Sequence, residues 1–138
     1  MDQDDEMSRL VDAIGELSFR TMGALTEIAA DEGVSLTQLR VLAILRDRRV
    51  RIGELAQYLG LERSTMTGLV ARASAKGFLS RQPNPDDARA VDVVITDAGA
   101  RVAHRLETSM REALEPITTA LDPDQQSQLR VLLGAMLR

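Results

Sequence analysis

The chain has 138 residues and no cysteine, so disulfide bonds, thiolate metal sites and a cysteine redox switch are excluded. Aromatic residues make up only 2% of it, which argues against binding of single-stranded nucleic acid by base stacking. The net charge of -4 hides an asymmetry, because residues 46–89 carry nine basic and five acidic side chains while the segments on either side are acidic. Since the local potential governs the encounter with a polyanion, this basic middle segment indicates a nucleic-acid partner.

The N-terminal segment, residues 1–34, predicts a long amphipathic helix. From Met7 to about Ala30, apolar residues recur at spacings of three, four or about seven, and Gly33 ends the pattern. The first six residues are acidic and lack the basic and apolar regions of a signal peptide. No apolar run approaches the roughly 18 residues of a membrane span. We therefore expect a soluble, cytoplasmic protein that does not associate with membranes.

The next elements predict a helix-turn-helix. Ser35 is the expected N-cap of a second helix, with Gln38 as its capping-box partner, and the basic tract 46–51 predicts a short strand or turn. Two short helices follow, with apolar faces at Ile52, Leu55, Ala56 and Leu59 and at Met66, Leu69, Val70 and Ala73. The turn between them contains Gly60, and Gly77 ends the second helix. Two short helices joined by such a turn are typical of a helix-turn-helix.

After Gly77 the period of the pattern changes from 3.6 to 2. Residues 78–82 predict a strand, and residues 83–87 are rich in turn formers. Val91, Val93 and Ile95 alternate along a second predicted strand. A strand, a polar turn and a strand directly after a helix-turn-helix indicate a β-hairpin wing.

Two further helices are predicted at the C-terminal end. Thr96 is the expected N-cap of the first, which Pro116 should kink or end early. Asp122, followed by Pro123, is the expected N-cap of the second. The apolar stripes of the terminal helices exceed what one winged module can bury, so we expect them to pack against a second copy of the chain.

The predicted fold class is mainly α-helical with a small β-hairpin wing. Residues 1–34 form an N-terminal dimerisation helix, residues 35–99 a winged helix-turn-helix that binds DNA, and residues 100–138 C-terminal dimerisation helices.

Candidate DNA contacts lie on the second motif helix and on the hairpin. With Met66 at the centre of the buried face, the outer face of this helix is small and polar, which suits a major groove about 12 Å wide. The candidates are Arg63, Ser64, Thr65, Thr67 and Arg72 on the helix and Arg81, Asp87 and Arg89 on the hairpin. Arg89 lies in the hairpin turn, where Asp87 can hold its guanidinium extended toward a minor groove. The alternative is a solvated surface with weak ion pairs.

Other polar groups give weaker signals. Arg49 or Arg51 leads into the first motif helix and is a candidate for phosphate contact, with a plain surface run as the alternative. His104, the only histidine, has Glu107 three residues away, which is too little for a metal site, so we expect a structural or solvated histidine. No catalytic triad, Walker or dinucleotide-binding glycine pattern occurs. We therefore expect no enzyme, cofactor or metal.

The segments 55–72, 77–81 and 84–96 together closely resemble the MarR family of transcription regulators, and the resemblance is most specific from Ser35 to Gly99. It implies a homodimer that binds a pseudo-palindromic operator in double-stranded DNA, with the recognition helix in the major groove and the wing in a minor groove. It implies repression of nearby genes and release by a small phenolic or lipophilic effector. The family's DNA-contacting positions fall on Ser64, Thr65, Thr67, Arg72, Asp87 and Arg89.

Two positions depart from the family pattern. Gly68 stands where members often carry arginine, which removes a possible base contact and costs roughly 1 kcal/mol of helix propensity relative to alanine. Glu62 stands where a better N-cap is usual. An effector pocket lined by Phe19, Met22 and Leu25 is one interpretation of those residues, and simple core is the other. A winged-helix module that binds protein, and a DNA binder without an effector, stay open as alternatives.

Overall fold

The computed structural model describes residues 3–138, so Met1 and Asp2 of the predicted segment 1–34 lie outside the described residues. The described chain contains α1 (Gln3–Glu32), α2 (Leu36–Leu45), β1 (Val50–Arg51), α3 (Ile52–Leu59), α4 (Arg63–Ala75), β2 (Leu79–Pro83), β3 (Val91–Ile95), α5 (Asp97–Thr118) and α6 (Pro123–Met136). This confirms the mainly α-helical fold with a small β wing. None of these helices is long and apolar enough to cross a membrane.

The chain divides into two compact units. One unit runs from Leu25 to Glu107 and holds α2, α3, α4 and the strands. The other holds α1 up to Ala24 and the chain from Thr108 onward. Both divisions fall inside the long helices α1 and α5. The boundaries predicted from the sequence, at residues 34 and 99, lie in the loop after α1 and in the first turn of α5, and they stay a prediction.

The strands form one antiparallel sheet in the order β1-β3-β2. β2 and β3 form the predicted hairpin, with Leu79 opposite Ile95 and Pro83 opposite Val91. β2 lies one residue later than predicted, and its last residue is a proline, which an edge strand tolerates because its outer N–H groups are not needed for pairing. The basic tract adds β1, with Val50 opposite Val93. The wing therefore has a three-stranded base.

The core of the unit 25–107 is made of aliphatic side chains from α2, α3, α4 and the sheet. The most buried large side chains are Val41, Leu42, Leu45, Leu55, Met66, Val70 and Val93. On α4, the predicted inner face is confirmed, because Met66, Leu69, Val70 and Ala73 are all buried. The opposite face of α4 is thereby left toward solvent.

The helix ends follow the predicted caps. Ser35 Oγ accepts a hydrogen bond from Gln38 N, and Ser35 N donates to Gln38 Oε1, both at 3.1 Å. Asp122 forms the same reciprocal pair with Gln125. Thr96 Oγ1 accepts from Gly99 N at 3.1 Å, which confirms it as the N-cap of α5.

Pro116 lies inside α5, and the helix ends two residues later at Thr118. The helix therefore continues past this proline instead of ending before it, and the alternative of a kink at Pro116 stays a prediction.

The second unit exposes much of its apolar surface. On α1, Met7, Leu10, Val11, Ile14 and Leu17 are each 38–60% exposed. On α6, large apolar side chains are also exposed, namely Leu129, Val131, Leu132 and Met136. The predicted stripes therefore exist and are not buried within a single chain.

Candidate nucleic-acid interface

α3 and α4 are joined by a tight turn whose geometry depends on Gly60. Its φ of +65° lies in the left-handed region that side chains with a Cβ rarely adopt, and its N–H donates to Gln57 O. Glu62 is the N-cap of α4, but its side chain makes no capping hydrogen bond. The first-turn N–H groups of α4 are therefore left without a side-chain cap, an arrangement that favours anions such as phosphate.

All eight predicted contact residues are exposed: Arg63, Ser64, Thr65, Thr67, Arg72, Arg81, Asp87 and Arg89. On α4, the Thr67 hydroxyl donates to Arg63 O at 2.9 Å, so it is oriented along its own helix. Arg72 lies over Gly68, because its Nη1 atom is 3.4 Å from the position that a Cβ at Gly68 would occupy. Because Gly68 has no side chain, the guanidinium of Arg72, one helical turn later in the sequence, has room to lie over it.

Gly68→Ala is expected to raise the free energy of unfolding by about 1 kcal/mol, because alanine has the higher helix propensity and the new methyl group would meet only the flexible end of Arg72 at an ordinary contact distance. Urea denaturation at fixed protein concentration measures the change. An unchanged or lower stability would show that Arg72 cannot make room for the methyl group without cost.

A cleft of about 400 Å³ lies between the wing and the helix-turn-helix. Arg51, Arg63 and Arg89 line it together with Asp87 and the first turn of α3. None of the three arginines forms an ion pair within residues 3–138. These three guanidinium groups outnumber the two carboxylates of the lining, Glu54 and Asp87, so the cleft carries a net positive charge suited to phosphate oxygens.

The structure brings some of the predicted residues together and leaves others apart. Arg63, Asp87 and Arg89 share the cleft, and Arg51, a candidate for phosphate contact, joins them. The remaining candidates lie on α4 and β2 outside the cleft lining: Ser64, Thr65, Thr67, Arg72 and Arg81. The cleft itself was not predicted, because it joins residues that are far apart in the sequence.

The wing loop, residues 84–90, has an internal hydrogen-bond network. Asn84 Oδ1 accepts from the backbone N–H groups of Asp86 at 2.9 Å and Asp87 at 3.1 Å. Asp87 Oδ1 accepts from Arg89 N at 3.1 Å. The sequence favours a pair between this carboxylate and the Arg89 guanidinium. In the structure the carboxylate instead accepts from the backbone of Arg89, which leaves the guanidinium unpaired within residues 3–138.

Asp92 is the functional candidate that sequence reasoning missed. It is 2% exposed, and its carboxylate accepts from Asn84 Nδ2 at 2.9 Å and from Arg49 Nε at 2.8 Å. Of the three residues that alternate along β3, Val93 is buried, but Val91 is 40% exposed. The amide of Asn84, followed by the Arg49 guanidinium, holds the pKa of Asp92 below its usual value despite desolvation. The available signal was an aspartate inside a β-branched strand.

Two other arginines of the basic tract 46–51 have ordinary partners. Arg46 pairs with Glu107 at 3.3 Å, and Arg48 pairs with Asp47 at 3.0 Å. Within residues 3–138, no group of three or more potential ligands is placed to hold a metal ion. Of the residues considered for an effector pocket, Phe19 is 80% and Met22 50% exposed in the single chain.

The chain is similar in sequence and in structure to known transcription regulators. A sequence model of the MarR family matches residues 32–90. The transcriptional regulator PecS of Dickeya dadantii is 26% identical, over 96% of this chain and 82% of the relative. Among solved structures, a mutant of MarR from Escherichia coli in complex with operator DNA is 25% identical, with a TM-score of 0.74 and full coverage of both chains. The transcriptional regulator Tm0710 from Thermotoga maritima is 30% identical, with a TM-score of 0.70, over 94% of this chain and 92% of that one.

Proposed function

Because the chain belongs to the MarR family of transcription regulators, we propose that it binds a pseudo-palindromic operator in double-stranded DNA as a homodimer. In each subunit, α4 enters the major groove and the wing enters an adjacent minor groove. Bound in this way, the dimer represses nearby genes, and a small phenolic or lipophilic effector releases it. Since its target is chromosomal DNA, we place the protein in the cytoplasm.

The observation that carries the proposal is the cleft lined by Arg51, Arg63 and Arg89 beside the exposed face of α4. A phosphate in this cleft would contact cationic groups from β1, α4 and the wing at once, which fixes the orientation of the protein on the duplex. The Arg89 side chain, on the wing loop, would then enter the narrow, negatively charged minor groove of the DNA.

The face of α4 supports major-groove docking. Ser64 and Thr65 present hydroxyl groups in the first turn, and Gly68, at the centre of the face, is covered only by the flexible end of Arg72. A low surface allows close approach to the base edges. We propose that Arg72, whose guanidinium lies over Gly68, supplies the base contact that residue 68 cannot make without a side chain.

The homodimer is supported by the exposed apolar side chains of α1 and α6. Contiguous apolar surface on a small protein marks an interaction site, and self-association through matching surfaces is the commonest form of assembly. Two copies of α4 about 34 Å apart, one turn of B-DNA, would read two half-sites on one face of the duplex.

The test is a selection of bound DNA from random duplexes with the purified full chain at physiological salt. We expect the recovered duplexes to contain two related half-sites about 10 base pairs apart from centre to centre. The affinity for such a duplex should fall steeply with salt, since each phosphate neutralised contributes about 0.9 to the logarithmic slope. No enrichment and a flat salt dependence would favour the alternative, a winged-helix module that binds protein.

Two further measurements test the finer parts of the proposal. Sedimentation of the free protein should give a dimer, and a monomer at working concentrations would contradict the paired half-sites. A reporter gene behind the selected duplex should be expressed less when the chain is present, and a panel of phenols and aromatic acids should restore expression. If no compound in the panel acts on the reporter or on the purified complex, a DNA binder without such an effector is favoured.

A further inference from the structure

Arg49, Asn84 and Asp92 form a cluster at the base of the wing, here called the wing clamp. The Asp92 side chain is 3% exposed and lies at the centre of the cluster on the middle strand. Arg49, which immediately precedes β1, donates to Asp92 Oδ2 at 2.8 Å and also to Pro83 O, at the end of β2, at 3.4 Å. One guanidinium therefore links all three strands where the wing loop leaves the sheet.

A continuous series of hydrogen bonds leads from the wing clamp to Arg89. Asn84 donates through Nδ2 to Asp92, and its Oδ1 accepts from the backbone of Asp86 and Asp87. The Asp87 carboxylate then accepts from Arg89 N. The first link joins two side chains, and the later links join a side chain to the backbone that follows it, so the orientation of the Asn84 amide determines the path of the loop.

We infer that Asp92 is a positioning residue for DNA binding, which orients Asn84 and so fixes the wing loop that presents Arg89. This inference rests on the proposed function. Asp92 is buried, so it cannot itself contact DNA. As a carboxylate it also places a negative charge beneath a surface that would meet a polyanion. We therefore expect Asp92 to strengthen DNA binding indirectly, although its negative charge by itself would weaken it.

Asp92→Asn distinguishes the two effects, because loss of the charge alone should strengthen binding, whereas loss of the positioning contact should weaken it. An asparagine can still accept from Asn84, but its NH2 group would face the Arg49 guanidinium, so the link to β1 is lost. We expect the affinity for the duplex recovered by selection to fall about three- to tenfold, as for the partial loss of one arginine contact. Asp86→Asn is the matched control, because it removes the same charge from an exposed side chain of the wing loop, which leads into β3. That control should bind equally well or more tightly.

A double-mutant cycle with Arg89→Ala separates positioning from a general loss of structure. If Asp92 acts through Arg89, Asp92→Asn should change the affinity less than twofold when residue 89 is already alanine. Asn84→Ala removes the hydrogen bond to Asp92 and those to the backbone of Asp86 and Asp87 while leaving the Arg49–Asp92 pair in place. It should show the same dependence on Arg89. Because Asn84 is only half-buried, the Asn84→Ala variant should fold and can be measured even if Asp92→Asn does not fold.

Amide hydrogen exchange provides a readout that needs no DNA. In Asp92→Asn and Asn84→Ala, the N–H groups of Asp86, Asp87 and Arg89 should exchange faster, while those of α4 stay unchanged. Unchanged exchange in the loop would overturn the inference even if the chain proves not to bind DNA. Equal losses of affinity with and without Arg89, or an Asp92→Asn variant that binds as tightly as Asp86→Asn, would also overturn it. A wild-type chain that binds no duplex would instead overturn the proposed function.

Discussion

Replacing Arg89 with alanine is expected to weaken binding of the selected duplex by about five- to 150-fold, the range for an arginine contact worth about 1–3 kcal/mol. The guanidinium is exposed and without an ion pair in residues 3–138, and it lines the cleft between the wing and α4. Its loss should also reduce the logarithmic salt slope by about 1. Titration of the labelled duplex at several salt concentrations measures both effects.

Arg101→Ala is the matched control for this prediction. Arg101 is exposed on α5 in the same compact unit, so the variant removes the same charge away from the cleft. If both variants lose the same affinity, long-range charge alone explains the result, and a specific role of the wing is ruled out.

Gly99→Ala is expected to destabilise the protein by about 2–3 kcal/mol, the upper part of the range for overpacking a filled site. A Cβ at this position would overlap Phe78 O and lie 2.8 Å from Ile95 Cγ1. The Phe78 backbone has little freedom to move away, because its N–H donates to Ala73 O and its carbonyl accepts from Thr96 N. The start of α5 therefore packs directly on the backbone that connects α4 to the wing.

Urea denaturation at one protein concentration measures this change, and Gly68→Ala is its control. Both substitutions add the same methyl group to a helix, but they are expected to change stability in opposite directions because only residue 99 lacks space. A stability equal to that of the wild type would show that α5 can shift away from Phe78 at little cost.

The features that could be predicted from the sequence are those determined by near neighbours. The capping boxes at Ser35 and Asp122 each depend on a partner three residues away, and the buried face of α4 depends on helical spacing. The wing could also be predicted, because a strand–turn–strand pattern begins directly after Gly77, where α4 has ended.

The parts that could not be predicted depend on distant residues. Arg49 and Asp92 are separated by 43 positions, so their pairing becomes visible only when β1 is placed beside β3. Alternation along β3 favoured an apolar inner face, and it cannot show that the other face of the strand is covered by Arg49 and Asn84. The cleft around Arg51, Arg63 and Arg89 depends on the same sheet register.

The exposed apolar side chains of α1 and α6 have a consequence for the abundance of the protein. If association covers them, the melting temperature rises with protein concentration, because dilution favours separated and less stable chains. Newly made subunits at low copy number would then be the most vulnerable to proteases, and the level of the regulator would depend on how quickly each subunit meets another.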